Sequence, residues 1–297
     1  MKEREKKVLS RKGETGVRMA RIAIVGLTGQ SFFFDVPRFH AGGETIHATG
    51  FHEEWGGKGF NQAVAAARQG ADVAFLTAVG VEDMAKVRDF LAQEGIAGTV
   101  VGKETPSARA AILTDGTGET RVTVFPGARL DVADVEPFAT AISSADILLL
   151  TNEVPEEVNV RATEIASAAG VQIILNPAPA RALPPALAGR IFLFTPNEFE
   201  EAALGEVGGE VVTTLGAKGC RIRSTDEIVP APPAKAVDST GAGDTFNGVL
   251  AVRLAEGASL RDACLAANEA AAKSVAVRYV LLSIPHRLSD QTENRKC

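Results

Sequence analysis

The stretch DSTGAGDTFNG at positions 238–248 decides how this chain is read. A turn carrying two glycines, Gly241 and Gly243, runs straight into an acid, Asp244. Phe246, Val249, Leu250 and Leu254 then recur at helical spacing, so 242–256 is predicted to be a helix anchored in a core. A helix start on bare glycine backbone presents several unpaired N–H groups and a partial positive charge, a place for an anion. An acid in the first turn has a plain explanation, complementing the helix dipole. It also has a chemical one, a general base beside an anion hole. In an in-line phosphoryl transfer the N–H groups hold the charge on the equatorial oxygens while the carboxylate takes the proton of the attacking hydroxyl.

Outward from this turn, apolar runs alternate with helix-like segments. RIAIVG (21–26), DVAFLTAVG (72–80), DILLLT (146–151), VQIILNP (171–177), RIFLFTP (190–196) and EVVTTLG (210–216) read as buried strands. Segments 62–69, 84–94, 155–169 and 198–204 read as helices between them, and 259–277 as a final helix. This alternation predicts an α/β fold with a mostly parallel sheet covered on both faces. Such sheets bind ligands beyond the carboxyl ends of their strands.

Two stretches break the alternation. GGETIHATGFHEEWGG (42–57) and SARAAILTDGTGETRVTVF (107–125) have strand-like patterns and turn glycines with no helix between. The second is a hairpin pattern around Asp115-Gly116. They predict a small β-sheet lid, with segments at about 36–55 and 107–126. Ile46, Phe51 and Trp55 lie in one segment, and Ala111 and Leu113 alternate in the other. An isolated flap exposes an edge and an apolar face, so a homodimer through the lid is expected. His47 and His52 have acids nearby, but a place in the lid makes them surface strand residues rather than metal ligands.

The bulk numbers bound the function. A chain of 297 residues with 45% hydrophobic and 23% charged residues is an ordinary globular chain. Net charge is −6 with no concentrated basic face, which argues against nucleic acid as the partner. No apolar run is long enough to span a bilayer and no signal peptide is recognisable, so no membrane partner is expected. Cys220, Cys264 and Cys297 have no disulfide or metal spacing, which predicts a reducing, cytoplasmic location. Residues 1–19 read as a disordered tail, 20–290 as one domain, and 291–297 as a second tail.

With these motifs in place, the chain resembles the ribokinase family, the phosphofructokinase-B carbohydrate kinases. DSTGAGDTFNG resembles its second signature, and GGKGFNQAVAAARQG (56–70) its first, in the form ribokinases carry. NPAPA (176–180), TPNEFE (195–200) and TLGAKG (214–219) follow in the expected order. Five motifs in order, over roughly 21–285, are specific where either glycine motif alone is weak. No G-x-x-x-x-G-K-[ST] occurs, so a P-loop kinase is excluded.

The resemblance implies a ribokinase-like three-layer fold and transfer of the ATP γ-phosphoryl group to a hydroxymethyl of a small sugar, ribose first. It implies Asp244 as the base and Gly241, Ala242 and Gly243 as the anion hole. It implies sugar contacts from Gly57, Lys58, Gly59, Asn61 and Glu153, with Ser31 and Asp244 beside them. ATP is expected at Asn197, Glu200, Thr214, Leu215, Gly216, Ala217, Lys218, Gly219, Gly243 and Asn268, with magnesium organised by the Asn197–Glu200 pair. A monovalent cation, potassium, is expected among Asp238, Thr240, Ser274, Val277, Tyr279 and Ser283.

The chain also departs from the family. Where ribokinases carry Asn-x-Asp after the first strand, Gly29 and Ser31 stand here, and the next carboxylate is Asp35. The segment between Asn197 and Thr214 is short by nearly twenty residues, and the one after Asp83 looks clipped. The last cation-loop segment lacks its turning glycine, so Tyr279 or Val280 must take that place. These departures leave room for a sibling kinase acting on deoxyribose, another sugar, a sugar acid or a nucleoside. They also leave room for a ligand-binding or regulatory homologue with weak turnover.

Overall fold

The computed structural model describes residues 19–287; the tails expected at the two ends lie largely outside them. Strand β1 (Arg21–Val25) is followed by β2 (Gly29–Asp35) and β3 (Gly50–Gly56). Helix α1 (Lys58–Arg68) leads to β4 (Asp72–Gly80), and α2 (Met84–Gln93) to β5 (Ala97–Lys103). The hairpin β6 (Ala108–Thr114) and β7 (Thr120–Phe125) comes next. Then β8 (Ile147–Thr151), α3 (Glu156–Ala169), β9 (Gln172–Asn176) and β10 (Leu193–Phe194) follow, with short helical turns between some of them. Helix α4 (Glu198–Leu204) precedes β11 (Glu210–Thr214), β12 (Cys220–Ile222) and β13 (Glu227–Val229). The chain closes through α5 (Ala242–Ala255), α6 (Leu260–Ser274) and the single turn α7 (Val280–Ser283).

Nine strands form the main sheet in the order β13-β12-β11-β10-β9-β8-β1-β4-β5. All are parallel except the last hairpin, where β11, β12 and β13 pair antiparallel. Alternate residues of β1 serve opposite cores: Ile22 and Ile24 face α1, α5 and α6, while Ala23 and Val25 pack with residues of α3. That is the three-layer arrangement a doubly covered sheet requires. Among the described residues no helix is long and apolar enough to cross a membrane.

The small sheet has four strands, β3-β2-β6-β7. Its central strand, β2, contains the run SFFFD and is absent from the sequence expectation, which starts the lid near residue 36. Phe33 packs on His52 and Tyr279 while Phe34 packs on Phe51, so both faces of β2 carry apolar rings and no alternation marks the strand. Conversely, 42–49 is turn and loop, and strand pairing begins only at Gly50. Strand β5 and the edge hairpin β12–β13 are likewise additions to the expected set, and the expected strand at 190–196 shrinks to two residues.

Two close approaches position the site. A Cβ on Gly26, at the end of β1, would lie 2.6 Å from Gly59 Cα, so α1 begins directly over that strand end. A Cβ on Gly248 would lie 2.6 Å from Ala65 Cβ and 2.7 Å from Gln62 O, so α1 and α5 cross almost backbone to backbone.

Candidate active site

Helix α1 starts at Lys58, four residues before the sequence expectation, after Gly57 at φ 113°. Asn61 therefore sits inside the first full turn, and its side chain does not cap the helix. The crossing at Gly248 carries Asn61 and Gln62 onto the first turn of α5, where Asp244 is buried. Asn61 Nδ2 donates to Asp244 Oδ2 at 2.8 Å, and Gln62 Nε2 to Asp244 Oδ1 at 3.2 Å. Gln62 Nε2 also reaches Asn176 Oδ1 at 3.2 Å, and Asn176 Nδ2 donates to Thr195 O at 2.9 Å. Gln62 and Asn176 lie outside the expected site residues, although both stand in the quoted motifs as polar residues in apolar surroundings. Asn247 is a third such residue, donating to Gly243 O at 2.8 Å.

The charges are coupled. Burial raises the Asp244 carboxyl above its ordinary value, against the pull of Lys58 and the two amide donors. Lys58 is itself raised, first by Asp244, against its own burial, with Glu153 and Glu200 adding to the effect. Glu153 follows the end of β8, and its Oε2 accepts the Gly59 N–H at 3.3 Å. Burial first and the Asp244 charge second push Glu153 up to about 7. Two acceptors in this cluster, Asn61 Oδ1 and Gln62 Oε1, have no hydrogen-bond partner among the described residues. An orphaned buried acceptor is costly and marks a place for a donor from a ligand or water.

Gly241 takes φ +76° as the N-cap of α5, and the space over Gly243 is empty to 4 Å. Both line a cleft of about 550 Å³ with Lys58, Asp244, Asn197 and Thr214. The motif TPNEFE enters it through a capping box: Glu200 N donates to Asn197 Oδ1 and Asn197 N to Glu200 Oε2, each at 2.8 Å. Thr214 and Gly216 reach the cleft wall, and Gly216 takes φ +58° in the tight turn ahead of Gly219. Leu215 N donates to Gly219 O at 2.8 Å, which closes that turn and leaves Gly216, Ala217 and Lys218 exposed. Asn268 does not line the cleft. Its Nδ2 donates to Val229 O at 2.9 Å and ties the edge hairpin to α6.

The residues expected to surround a monovalent cation meet only in part. Asp238 Oδ1 accepts the Thr240 N–H at 2.9 Å and Oδ2 the Tyr279 N–H at 3.1 Å. Tyr279 takes φ +67°, the conformation a turning glycine would supply, which resolves the choice between Tyr279 and Val280. Ser274 and Ser283 spend their hydroxyl protons on Ala271 O and Val280 O, and Val277 is exposed.

At the start of the small sheet, Ser31 Oγ lies 3.3 Å from where a Cβ on Gly56 would stand, and Asn61 Oδ1 lies 3.9 Å from the same point. Asp35 is at the far end of β2, opposite Gly50, and ion-pairs with Arg278, so it does not stand in for the missing carboxylate.

Residues 19–287 match the pfkB family carbohydrate kinases. The chain is 34% identical over 292 residues to the ribokinase of Haemophilus influenzae, covering 90% of this chain and 95% of that protein. It is 35% identical over 297 residues to the bifunctional ribokinase/ribose-5-phosphate isomerase A of Fructilactobacillus sanfranciscensis, covering 91% of this chain and 55% of that longer protein. The solved ribokinase of Thermotoga maritima superposes with a TM-score of 0.80 at 31% identity, over 91% of this chain and 97% of that one. The Arabidopsis thaliana ribokinase complexed with ribose and ATP also gives 0.80, at 25% identity, over 91% and 96%. Fold and cleft together define a phosphotransferase of the ribokinase-like α/β type, a sugar kinase acting on a hydroxyl group. The chain belongs to the pfkB family of carbohydrate kinases.

Proposed function

We propose that the protein phosphorylates D-ribose at its hydroxymethyl group with ATP, giving ribose 5-phosphate. The observation that carries this reading is the buried Asp244 carboxylate, held by Asn61 and Gln62 at the foot of the open turn Gly241, Ala242 and Gly243. In this reading Asp244 takes the proton from the sugar hydroxyl while the N–H groups of the turn hold the transferring phosphoryl oxygens. Lys58 places positive charge beside both. The orphaned Asn61 Oδ1, together with Ser31, offers hydrogen bonds to sugar hydroxyls, and Glu153 and Gly57 complete that side.

ATP occupies the cleft between Asn197, Thr214, Gly216 and Gly243 in this account, with Leu215, Ala217, Lys218 and Gly219 shaping its loop. Asn197 and Glu200 fit magnesium held through water, because the capping box engages only Oε2 of Glu200. Magnesium supplies charge neutralisation along the phosphates. Asp238 with the neighbouring backbone, turned by Tyr279, fits a monovalent cation, which a single carboxylate suits better than a divalent ion. Further parts of the proposal are a homodimer joined through the small sheet and a cytoplasmic location.

A coupled ATPase assay over a panel of ribose, deoxyribose, other sugars and nucleosides tests this reading. Preferred turnover of ribose is expected. Sugar-bound protein without turnover would instead favour a binding protein on this fold.

A further inference from the structure

The face of the small sheet that turns toward the main domain carries more than sugar contacts. The antiparallel register of β2 and β3 sets Ser31 opposite Glu54, Phe33 opposite His52 and Asp35 opposite Gly50. Four residues of this face, Glu54, His52, Phe33 and Asp35, contact the loop at 278–281. Glu54 Oε1 accepts the Val280 N–H at 2.8 Å and Oε2 the Leu281 N–H at 3.1 Å. The His52 ring stacks on Tyr279 with centroids 3.8 Å apart. The Arg278 guanidinium pairs with Asp35. The Glu54 side chain is only 6% exposed. A buried carboxylate with each oxygen taken by a backbone N–H holds that backbone firmly, because charge-assisted hydrogen bonds are strong and have no competing water.

The far side of the same loop touches the glycine turn. Tyr279 N–H donates to Asp238, whose other oxygen accepts the Thr240 N–H. A Cβ on Gly241 would lie 2.4 Å from the Val280 side chain, so Val280 is packed against the turn itself. Tyr279 sits at φ +67°, a conformation that costs a bulky residue energy and persists only where its surroundings hold it.

We propose that Glu54 is a positioning residue through which the small sheet sets the loop at 279–281, and through it the N–H groups of Gly241 and Gly243. The proposal rests on reading those groups as the phosphoryl-holding turn. The register that brings Ser31 to the sugar thereby brings Glu54 to the back of the anion hole. Placing the small sheet over a sugar and aligning the anion hole become one event rather than two. Glu54 acts in this proposal on the loop rather than on the sugar: its oxygens accept the Val280 and Leu281 N–H groups, and Oε2 also lies 3.4 Å from His52 Nε2.

The test combines kinetics with amide hydrogen exchange on the full chain. Glu54→Ala is expected to lower kcat about tenfold or more while the KM for sugar changes less than about twofold. Exchange at Val280 and Leu281 is expected to quicken about tenfold or more, with α6 amides unchanged as the sign of an intact fold. Glu54→Gln keeps the side-chain volume and one acceptor, so it falls between the parent and alanine; it carries the test where the alanine variant does not fold. A kcat within about twofold of the parent overturns the proposal, whether or not exchange quickens. Where the parent itself phosphorylates no sugar, the kinase reading fails and the exchange result alone decides whether Glu54 holds the loop at 279–281.

Discussion

The side-chain amide of Asn61 donates to the Asp244 carboxylate at 2.8 Å, across 183 positions of sequence. Asn61 belongs to the first turn of α1, Asp244 to the first turn of α5, and the near-contact of the two helices at Gly248 brings them together. The pair orients the carboxylate and leaves Asn61 Oδ1 free for a ligand, so the proposed base and the proposed sugar contact are mechanically joined.

Asp244→Asn is expected to lower kcat by about 100-fold or more, the usual scale for a positioned acid–base group. The KM for ATP should hardly move, because the turn at Gly241 and Gly243 binds through backbone. Steady-state rates with ribose and ATP check this. A near-normal kcat would leave Asp244 as an acid that only complements the helix dipole.

Ser31→Asp restores the carboxylate that the family carries, and should lower the KM for ribose about tenfold or more, with the KM for ATP nearly unchanged. Restoring the partner asparagine at Gly29 is sterically barred, since a Cβ there would lie 2.8 Å from Ala108 O. Ser31 also pairs directly with Glu54 across the strands, so the new carboxylate faces another and the melting temperature should drop. Loss of activity on the best natural substrate would show a pocket built for a molecule other than ribose.

Glu153 predicts a pH dependence of stability. Its carboxyl is raised from 4.5 to about 7 in the folded state, so between those values the fold holds a proton that the unfolded chain has lost. The contribution to stability is full below pH 4.5 and is lost as pH rises through about 7. In Glu153→Gln that fall disappears, and the melting temperature of the ligand-free protein should decline by roughly 5–10 °C less between acid and neutral pH. Thermal melts of both proteins across this range decide it; parallel curves would remove the shift.

The small sheet leaves Phe51 and Phe125 about half exposed, at 57% and 49%. If this sheet joins two copies, the parent is a dimer by light scattering at micromolar concentration and Phe51→Asp is a monomer with a raised KM for sugar. A fully active monomeric parent would defeat the proposal.

Potassium is expected to activate the enzyme more than sodium at equal ionic strength. The effect should be weak, because Tyr279 rather than glycine turns the loop beside Asp238. Asp238→Ala should abolish the difference. Equal initial rates of the parent in both salts would remove the cation from this account.

Much of the fold was legible because its signals are local. The apolar runs at 21–26, 72–80 and 146–151 announce buried parallel strands, and Asn197 with Glu200 announces the start of α4, which begins where expected. The glycine turn and its acid were readable for the same reason, since a helix start and its first turn lie within a few residues. Strand β2 was not legible, because Phe32, Phe33 and Phe34 find partners on both sides of the small sheet and erase the two-residue period. The true start of α1 was also hidden, because Gly57 caps it by backbone conformation and leaves no capping side chain to read. The sequence by itself therefore determined the layered α/β class, the family motifs and the turn that carries Asp244. Only the tertiary structure decided that Gln62 and Asn176 join the carboxylate, that Asn268 holds a hairpin, that Asp35 pairs with Arg278, and that Glu54 bonds the loop whose Val280 packs on Gly241. Periodicity and caps are properties of neighbouring residues, whereas these contacts depend on which strand ends and helix crossings meet after the whole sheet has closed around its two cores.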